Sequence, residues 1–195
     1  MSGALDGIRV LDLSTLVQGP QAAAMLHDLG AEVIKIELPD VGDMGRHVGV
    51  IEDLGTSVFW EACNRGKRSV TLDLRTEAGH EAFLKLVRIS DVVISNFQPG
   101  TLDGWNLGYD DLAAVNPRII WAAGSFLGPS GPDALREGAD IVGEASGGVI
   151  AGIGNDDEPA TTVASLLADH CGSQNLQTGV LAALFARERT GRGQR

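Results

Sequence analysis

An acid, an imidazole and a thiol stand in consecutive positions, Asp169, His170 and Cys171, with Gly172 and Ser173 directly after them. They close an apolar run (Val163, Leu166, Leu167) and precede Leu176, Val180 and Leu184 at helical spacing, with Leu181 and Phe185 beside them. Asp169 therefore falls at an element junction. A carboxylate there has two roles open to it. It can cap the helix, accepting a backbone N–H and complementing the positive end of the dipole. Held beside free helix N–H groups, it can instead share a site with a bound anion or a thioester carbonyl, which the small Gly172 and Ser173 let approach the backbone. Cys171 reads as a small buried packing residue rather than a nucleophile. His170, one position on, should point away from the direction Asp169 takes.

A second chemical group lies in NRGKR, where Arg65, Lys67 and Arg68 share a glycine-containing turn. In an acidic chain such a cluster is an anion-site candidate, and equally a solvated turn before a strand. A third lies where the run DVVIS passes straight into Asn96, Phe97, Gln98, Pro99 and Gly100. The C-terminal end of a parallel strand is where ligands bind.

The elements that must position these groups read as alternating strands and helices. The run IRVLDL (8–13) is a buried strand, Gly19-Pro20 its exit loop, AAAMLHDL a helix stopping at Gly30, and EVIKI (32–36) a second strand. That is a right-handed βαβ unit, and without G-x-G-x-x-G it is Rossmann-like but lacks a dinucleotide fingerprint. Residues 38–57 form a long Gly- and acid-rich excursion without clear periodicity. Residues 69–74 form a strand, Thr76-Glu77 caps a helix through Arg88, and the turn-and-helix passage LGYDDLAAVNPR leads to a strand at 119–123. A loop rich in Gly, Pro and Ser, the glycine pair 147–148 and the acidic turn NDDEPA then lead to Asp169. The fold class expected is α/β with a mostly parallel sheet and flanking helices.

Length and composition bound the rest. At 195 residues, 44% hydrophobic and 21% charged, the chain suits one soluble domain spanning 1–195, and 26 glycines with 5% aromatics favour α/β over an all-β sandwich. A net charge of −11 argues against nucleic acid or an anionic membrane as partner. Cys63 and Cys171 lack metal-ligand spacing, so no metal is expected and a reduced, cytoplasmic setting is the natural reading. No stretch approaches the ~20 apolar residues of a membrane span, and MSGALDGIRV lacks a signal-peptide pattern.

Taken in order, LDGIRVLDLS, the GP of 19–20, LGAEVIKIE, NRGKRSVTLDL, DVVISNFQPG, NPRII, GPSGP, the GG of 147–148, LLAD ending on Asp169, and ALFARERTGRGQ resemble the family III CoA-transferases of CaiB/BaiF type. That group includes formyl-CoA transferase, carnitine CoA-transferase and acyl-CoA racemases. The resemblance implies a Rossmann-like large domain, two chains interlocked like links, and Asp169 as the nucleophile. Its carboxylate would attack an acyl-CoA thioester to give a mixed anhydride, and the returning thiolate would form an aspartyl-CoA thioester that the acceptor acid attacks. Coenzyme A and acyl-CoA are then substrates, with no permanently bound cofactor, and a carboxylic acid is the acceptor. Contacts to coenzyme A are implied at Val17, Gln18, Arg65, Lys67, Arg68, Leu72, Arg75, Asn96 and Phe97.

Departures from the pattern are specific. Leu38, Gly104 and Glu137 stand where the family has basic side chains for the CoA phosphates. Where the transferases often place a glutamine, this chain has Val17, with Gln18 displaced by one. The racemase branch has a histidine before the acid of EGADIVGEA, where this chain has Ala139, so transfer is expected over racemisation. Family chains run well beyond TGRGQ into a small second domain. A catalytically silent or incomplete domain needing a partner chain is the alternative expectation.

Overall fold

Valine- and isoleucine-rich runs, apolar on both faces, become the strands of a central parallel sheet. The structure is a computed structural model, and it describes residues 3–155, 157–163 and 165–195. Met1 and Ser2 of the N-terminal stretch, Asp156 of the acidic turn and Ala164 of the apolar run before Asp169 lie outside the described residues. In chain order come β1 (Arg9–Asp12), α1 (Gln18–Asp28), β2 (Glu32–Glu37), the short strands β3 (Val50–Ile51) and β4 (Thr56–Ser57), and α2 (Val58–Asn64). There follow β5 (Arg68–Thr71), α3 (Glu77–Val87), β6 (Val92–Ser95), α4 (Tyr109–Val115), β7 (Ile120–Ala123), α5 (Asp140–Ser146) and α6 (Leu167–Thr190).

The main sheet has the order β5-β2-β1-β6-β7, and every neighbouring pair is parallel. Strand order reverses between β1 and β6, which makes their C-terminal ends the topological switch point, where such sheets bind ligands. Side chains alternate across the sheet. Val10, Val92 and Ile94 join Ala23 and Leu26 of α1 and Val180, Ala183 and Leu184 of α6 in one core. Leu11 and Val93 face the other way, onto Phe83 and Val87 of α3 and Leu112 of α4. The α/β, Rossmann-like architecture read from the sequence is the one observed.

Three local expectations are corrected. Helix α1 begins at Gln18, so Gly19 and Pro20 belong to its first turn rather than an exit loop. Proline is tolerated there because its missing N–H would lack an intrahelical partner anyway. The excursion at 38–57 holds an antiparallel β3–β4 ribbon and short 3₁₀ turns, and it reaches inward at Asp43. Phe185 stays exposed, with Arg189 over its ring, because it lies about 100° around the helix from buried Leu184.

Four buried charges fix the open, C-terminal edge of the sheet. Lys35 of β2 is 1% exposed and meets Asp43 at 2.6 Å and Asp12 of β1 at 3.5 Å. Lys67, just before β5, donates to Asp12 at 2.7 Å, to the Asn64 side chain and to the Pro20 carbonyl. Asp43 in turn accepts the N–H groups of Leu16 and Gly45. Beside this cluster Glu37 takes a two-pronged Arg46 and the Asp43 N–H. At the opposite edge, buried Arg187 of α6 pairs with Asp91 at 2.9 Å and donates to the Arg118 carbonyl.

Burial works to raise the Asp12 and Glu37 carboxyls. Lys35 and Lys67 at Asp12, and Arg46 with Ser69 at Glu37, outweigh it and hold both at about 2. A carboxyl depressed in the folded state adds stability above its unfolded pKa, and that stability is lost as pH falls from about 4 toward 2. Resistance to denaturant should therefore fall between about pH 6 and about pH 3, on the order of 1 kcal/mol from Asp12 alone. Asp12→Asn should be less stable at the higher pH and lose less on acidification. An equal loss in the variant would assign the acid sensitivity to other groups.

Candidate active site

Helices α1 and α6 lie side by side against one face of the sheet and both start at its C-terminal edge. Each start is preceded by a leucine in left-handed backbone, Leu16 at φ 65° and Leu166 at φ 52°. Such geometry in a β-free-branching residue still costs roughly 1 kcal/mol or more and persists only where the surroundings impose it. For Leu16 the imposing contact is its N–H donating to Asp43.

Asp169 is not the helix cap that its place in the sequence allows. It sits in the first turn of α6, behind Leu166, and its own N–H donates to the Asp140 carboxylate at 3.0 Å. Asp140, buried at the start of α5, thus supplies the cap from 29 residues away. Burial first, and then the neighbouring Asp140 charge, push the Asp169 carboxyl above its ordinary range, while His170 pulls it back. A half-buried carboxylate with less water around it is a better nucleophile than a solvated one.

Gln18 is the group the fold brings to this turn. A Cβ added at Gly172, three residues past Asp169, would lie 2.5 Å from the Gln18 side-chain nitrogen, and one at Gly124, just after β7, would lie 2.0 Å from its oxygen. Two glycines thus cradle the carboxamide, which has no hydrogen-bond partner among the described residues. Val17 does not share this position, since its side chain is buried. His170 turns toward α1, where its Nδ1 meets the Gln21 side-chain oxygen. Cys171 is exposed rather than buried, because the α6 stripe that packs is the one through Ser173 and Val180.

The three cations of the basic cluster turn to three different partners within the chain. Arg65 pairs with Asp28, Arg68 with Glu32, and Lys67 is sunk in the Asp12 network, so each charge is already matched within the chain. Arg75 forks onto its neighbour Asp73 at the surface. Asn96 spends both ends of its carboxamide on Thr15, accepting from its N–H at 2.9 Å and donating to its carbonyl at 2.8 Å. It ties the β1 and β6 loops together across the switch point.

Leu38, Leu72, Arg75 and Phe97 do converge, around a cavity of about 320 Å³ above β1, β2 and β5. Phe97, edge-on to Trp105 at 5.9 Å, also borders a second cavity of about 560 Å³ above β6 and β7. Gly104 lies on the exposed turn Asp103–Trp105, where an added Cβ would meet open space, and Glu137 is exposed. The residues missed by sequence reasoning are Asp140 and Gln21. Asp140 lies in EGADIVGEA, but nothing local shows that it reaches Asp169.

The CoA-transferase family III pattern matches residues 5–195. The chain belongs to CoA-transferase family III. It is 40% identical over 190 residues to the succinyl-CoA–D-citramalate CoA-transferase of Chloroflexus aurantiacus, covering 97% of this chain and 47% of that protein. It is likewise 40% identical to the acetyl-CoA:oxalate CoA-transferase of Acetobacter aceti, covering 98% and 49%. Among solved structures, a CaiB/BaiF family protein from Brucella suis superposes with a TM-score of 0.93 at 38% identity, over 100% of this chain and 52% of that one. The chain thus spans about half the length of the family III relatives it matches.

The glycine cradle gives a test of the site apart from turnover. Gly172→Ala should leave α6 as stable or more so, by up to about 1 kcal/mol of helix propensity. Its methyl must displace the Gln18 amide, so the side-chain amide resonance of Gln18 should shift while the melting temperature holds. An unmoved Gln18 signal would place that amide away from Gly172.

Proposed function

We propose that this chain carries the nucleophile-bearing part of a CoA-transferase, which moves coenzyme A from an acyl-CoA to a carboxylic acid through Asp169. The observation that supports the reading most is a half-buried Asp169, its carboxyl raised by burial and by Asp140, in the first turn of α6, the same turn whose Gly172 packs against the unpartnered Gln18 amide. In the family III reaction the Asp169 carboxylate attacks the thioester carbonyl, and the C–S bond breaks to release the thiolate. The thiolate then attacks the aspartyl side of the mixed anhydride, releasing the carboxylate of the first acid. The acceptor carboxylate repeats the sequence in reverse. Charge develops on the carbonyl oxygen at each addition, and Gln18 Nε2 is the donor suited to meet it.

The named relatives act on succinyl-CoA or acetyl-CoA and on citramalate or oxalate, which supports a small organic acid as acceptor. Since the chain matches about half of each relative, the working site is proposed to be completed by further sequence of the same kind, in an interlocked pair of chains or with a complementing chain. Racemisation is not favoured, because Ala139 offers no proton where that branch has histidine.

Incubation with an acyl-CoA such as succinyl-CoA, followed by hydroxylamine, should convert Asp169 to the hydroxamate, visible by mass spectrometry, in this chain with its complementing half. Asp169→Ala should lose the adduct and several orders of magnitude in exchange rate. Exchange that survives the substitution would remove Asp169 from the chemistry.

Phosphate contacts are sparse, since Arg65, Lys67, Arg68 and Arg75 all have internal partners. Binding of coenzyme A should be weak and fall with added salt. Gly104→Arg fits the open space at that turn and should tighten binding roughly tenfold, the worth of one charge-assisted contact, with a steeper salt dependence. Calorimetric titration of both proteins checks this, and an unchanged affinity would place the phosphates elsewhere.

A further inference from the structure

Leu166 holds left-handed backbone at φ 52° where α6 starts, and its own side chain caps nothing. Its carbonyl accepts the His170 N–H at 3.0 Å, so it already belongs to the first turn of the helix. For Leu16 the contact that imposes such backbone falls on its own N–H, whereas for Leu166 the contacts lie on either side. Three residues before it, the Val163 N–H donates to Glu144 Oε2 at 3.0 Å. Three residues after it, the Asp169 N–H donates to Asp140 Oδ1 at 3.0 Å.

Asp140 and Glu144 are four positions apart on α5, which sets their Cβ atoms about 6 Å apart on one face. Extended chain from Val163 to Asp169 would cover about 20 Å. A chain bonded to both acids must therefore turn back on itself, and Leu166 is the midpoint. Gly143, between the two acids, tightens the contact, since a Cβ there would lie 2.7 Å from that of Ala168. Glu144 itself is fully buried, and its Oε1 has no hydrogen-bond partner among the described residues. Burying a carboxyl with one oxygen unmatched costs the fold more than a single backbone hydrogen bond offsets. Position, rather than stability, is what this contact supplies.

We infer that Glu144 is a positioning residue for Asp169: it tethers Val163, and together with Asp140 it imposes the left-handed turn at Leu166 from which α6 starts. The bearing of this tether on acyl transfer rests on the reading of Asp169 above. The tether itself does not.

The test begins with amide hydrogen exchange in the wild-type chain. Val163 lies in neither helix nor strand, so protection of its amide is expected from Glu144. Two variants then separate reach from acidity. Glu144→Asp keeps a carboxyl but falls short by one methylene, and it should quicken Val163 exchange roughly tenfold, the worth of the lost bond. Glu144→Gln gives up the carboxyl but keeps an acceptor in place, and it should leave Val163 protected. The Asp169 carboxyl, followed by carbon NMR, should titrate nearer the ordinary carboxylate range in Glu144→Asp, where the loosened turn admits water, and keep its raised midpoint in Glu144→Gln. An unprotected Val163 amide in the wild type would overturn the proposal without recourse to any variant. So would a Glu144→Asp protein that melts lower while its Asp169 midpoint stays in place, the mark of a role in stability alone. With the completing chain and succinyl-CoA, hydroxamate formation at Asp169 should slow tenfold to roughly a hundredfold in Glu144→Asp and hold in Glu144→Gln. The NMR effects in protein that never forms hydroxamate would sustain the tether and defeat the transfer reading. Hydroxamate formed at one rate in all three proteins would sustain transfer and overturn the positioning role.

Discussion

Two lysines and two aspartates buried together decide the form of the crevice edge. Asp12 ends β1, Lys35 lies within β2, Lys67 precedes β5 and Asp43 comes from the long excursion, so one neutral cluster joins four separate segments. Such a cluster adds little net stability over an apolar core, because desolvation offsets most of the attraction. Its value is positional, since losing one partner strands the rest at a cost of about 3–5 kcal/mol. Asp43 is held by Lys35, and with its other oxygen it takes the N–H of Leu16 in left-handed backbone. From that residue α1 departs, so the direction of Gln18 and Gln21 traces back to a lysine in the middle of a strand.

Helix α6 is fixed at both ends by a different pair of contacts. Arg187 and Asp91 hold it at the N-terminal edge of the sheet, and Asp140 holds its first turn at the opposite edge. With the helix pinned over its length, rotation about its axis is set by the Val180, Ala183 and Leu184 stripe against the sheet. That leaves the Asp169 N–H on Asp140, His170 toward α1, and Gly172 opposite Gln18. Gly124 and Gly172 matter here because any side chain at either would occupy the place of the Gln18 amide.

The sheet and its alternation with helices were legible because period and composition are local properties. Runs such as IRVLDL and DVVIS carry their burial in the residues themselves, and Thr76 and Gly30 mark element ends by the backbone each permits. What escaped was set at long range. The cap of α6 comes from Asp140 rather than Asp169, the partners of Arg65, Lys67 and Arg68 are Asp28, Asp12 and Glu32, and Asn96 is committed to Thr15. Charge clustering along the chain therefore did not reveal the internal ion pairs that these residues form. Asp169 does lie near a helix start, as its place in the sequence suggests, but its elevated carboxyl depends on burial and then on Asp140, neither of which spacing reveals.

The account rests on Asp169 and the Gln18 amide meeting at one carbonyl. A crystal structure of the protein with the chain proposed to complete its site, flash-cooled after exposure to an acyl-CoA, addresses that directly. Continuous density from the Asp169 carboxyl carbon to the sulfur of coenzyme A is predicted, with Gln18 Nε2 within hydrogen-bond distance of the thioester oxygen. Coenzyme A bound with a free Asp169 carboxylate and Gln18 turned away from it would contradict the account.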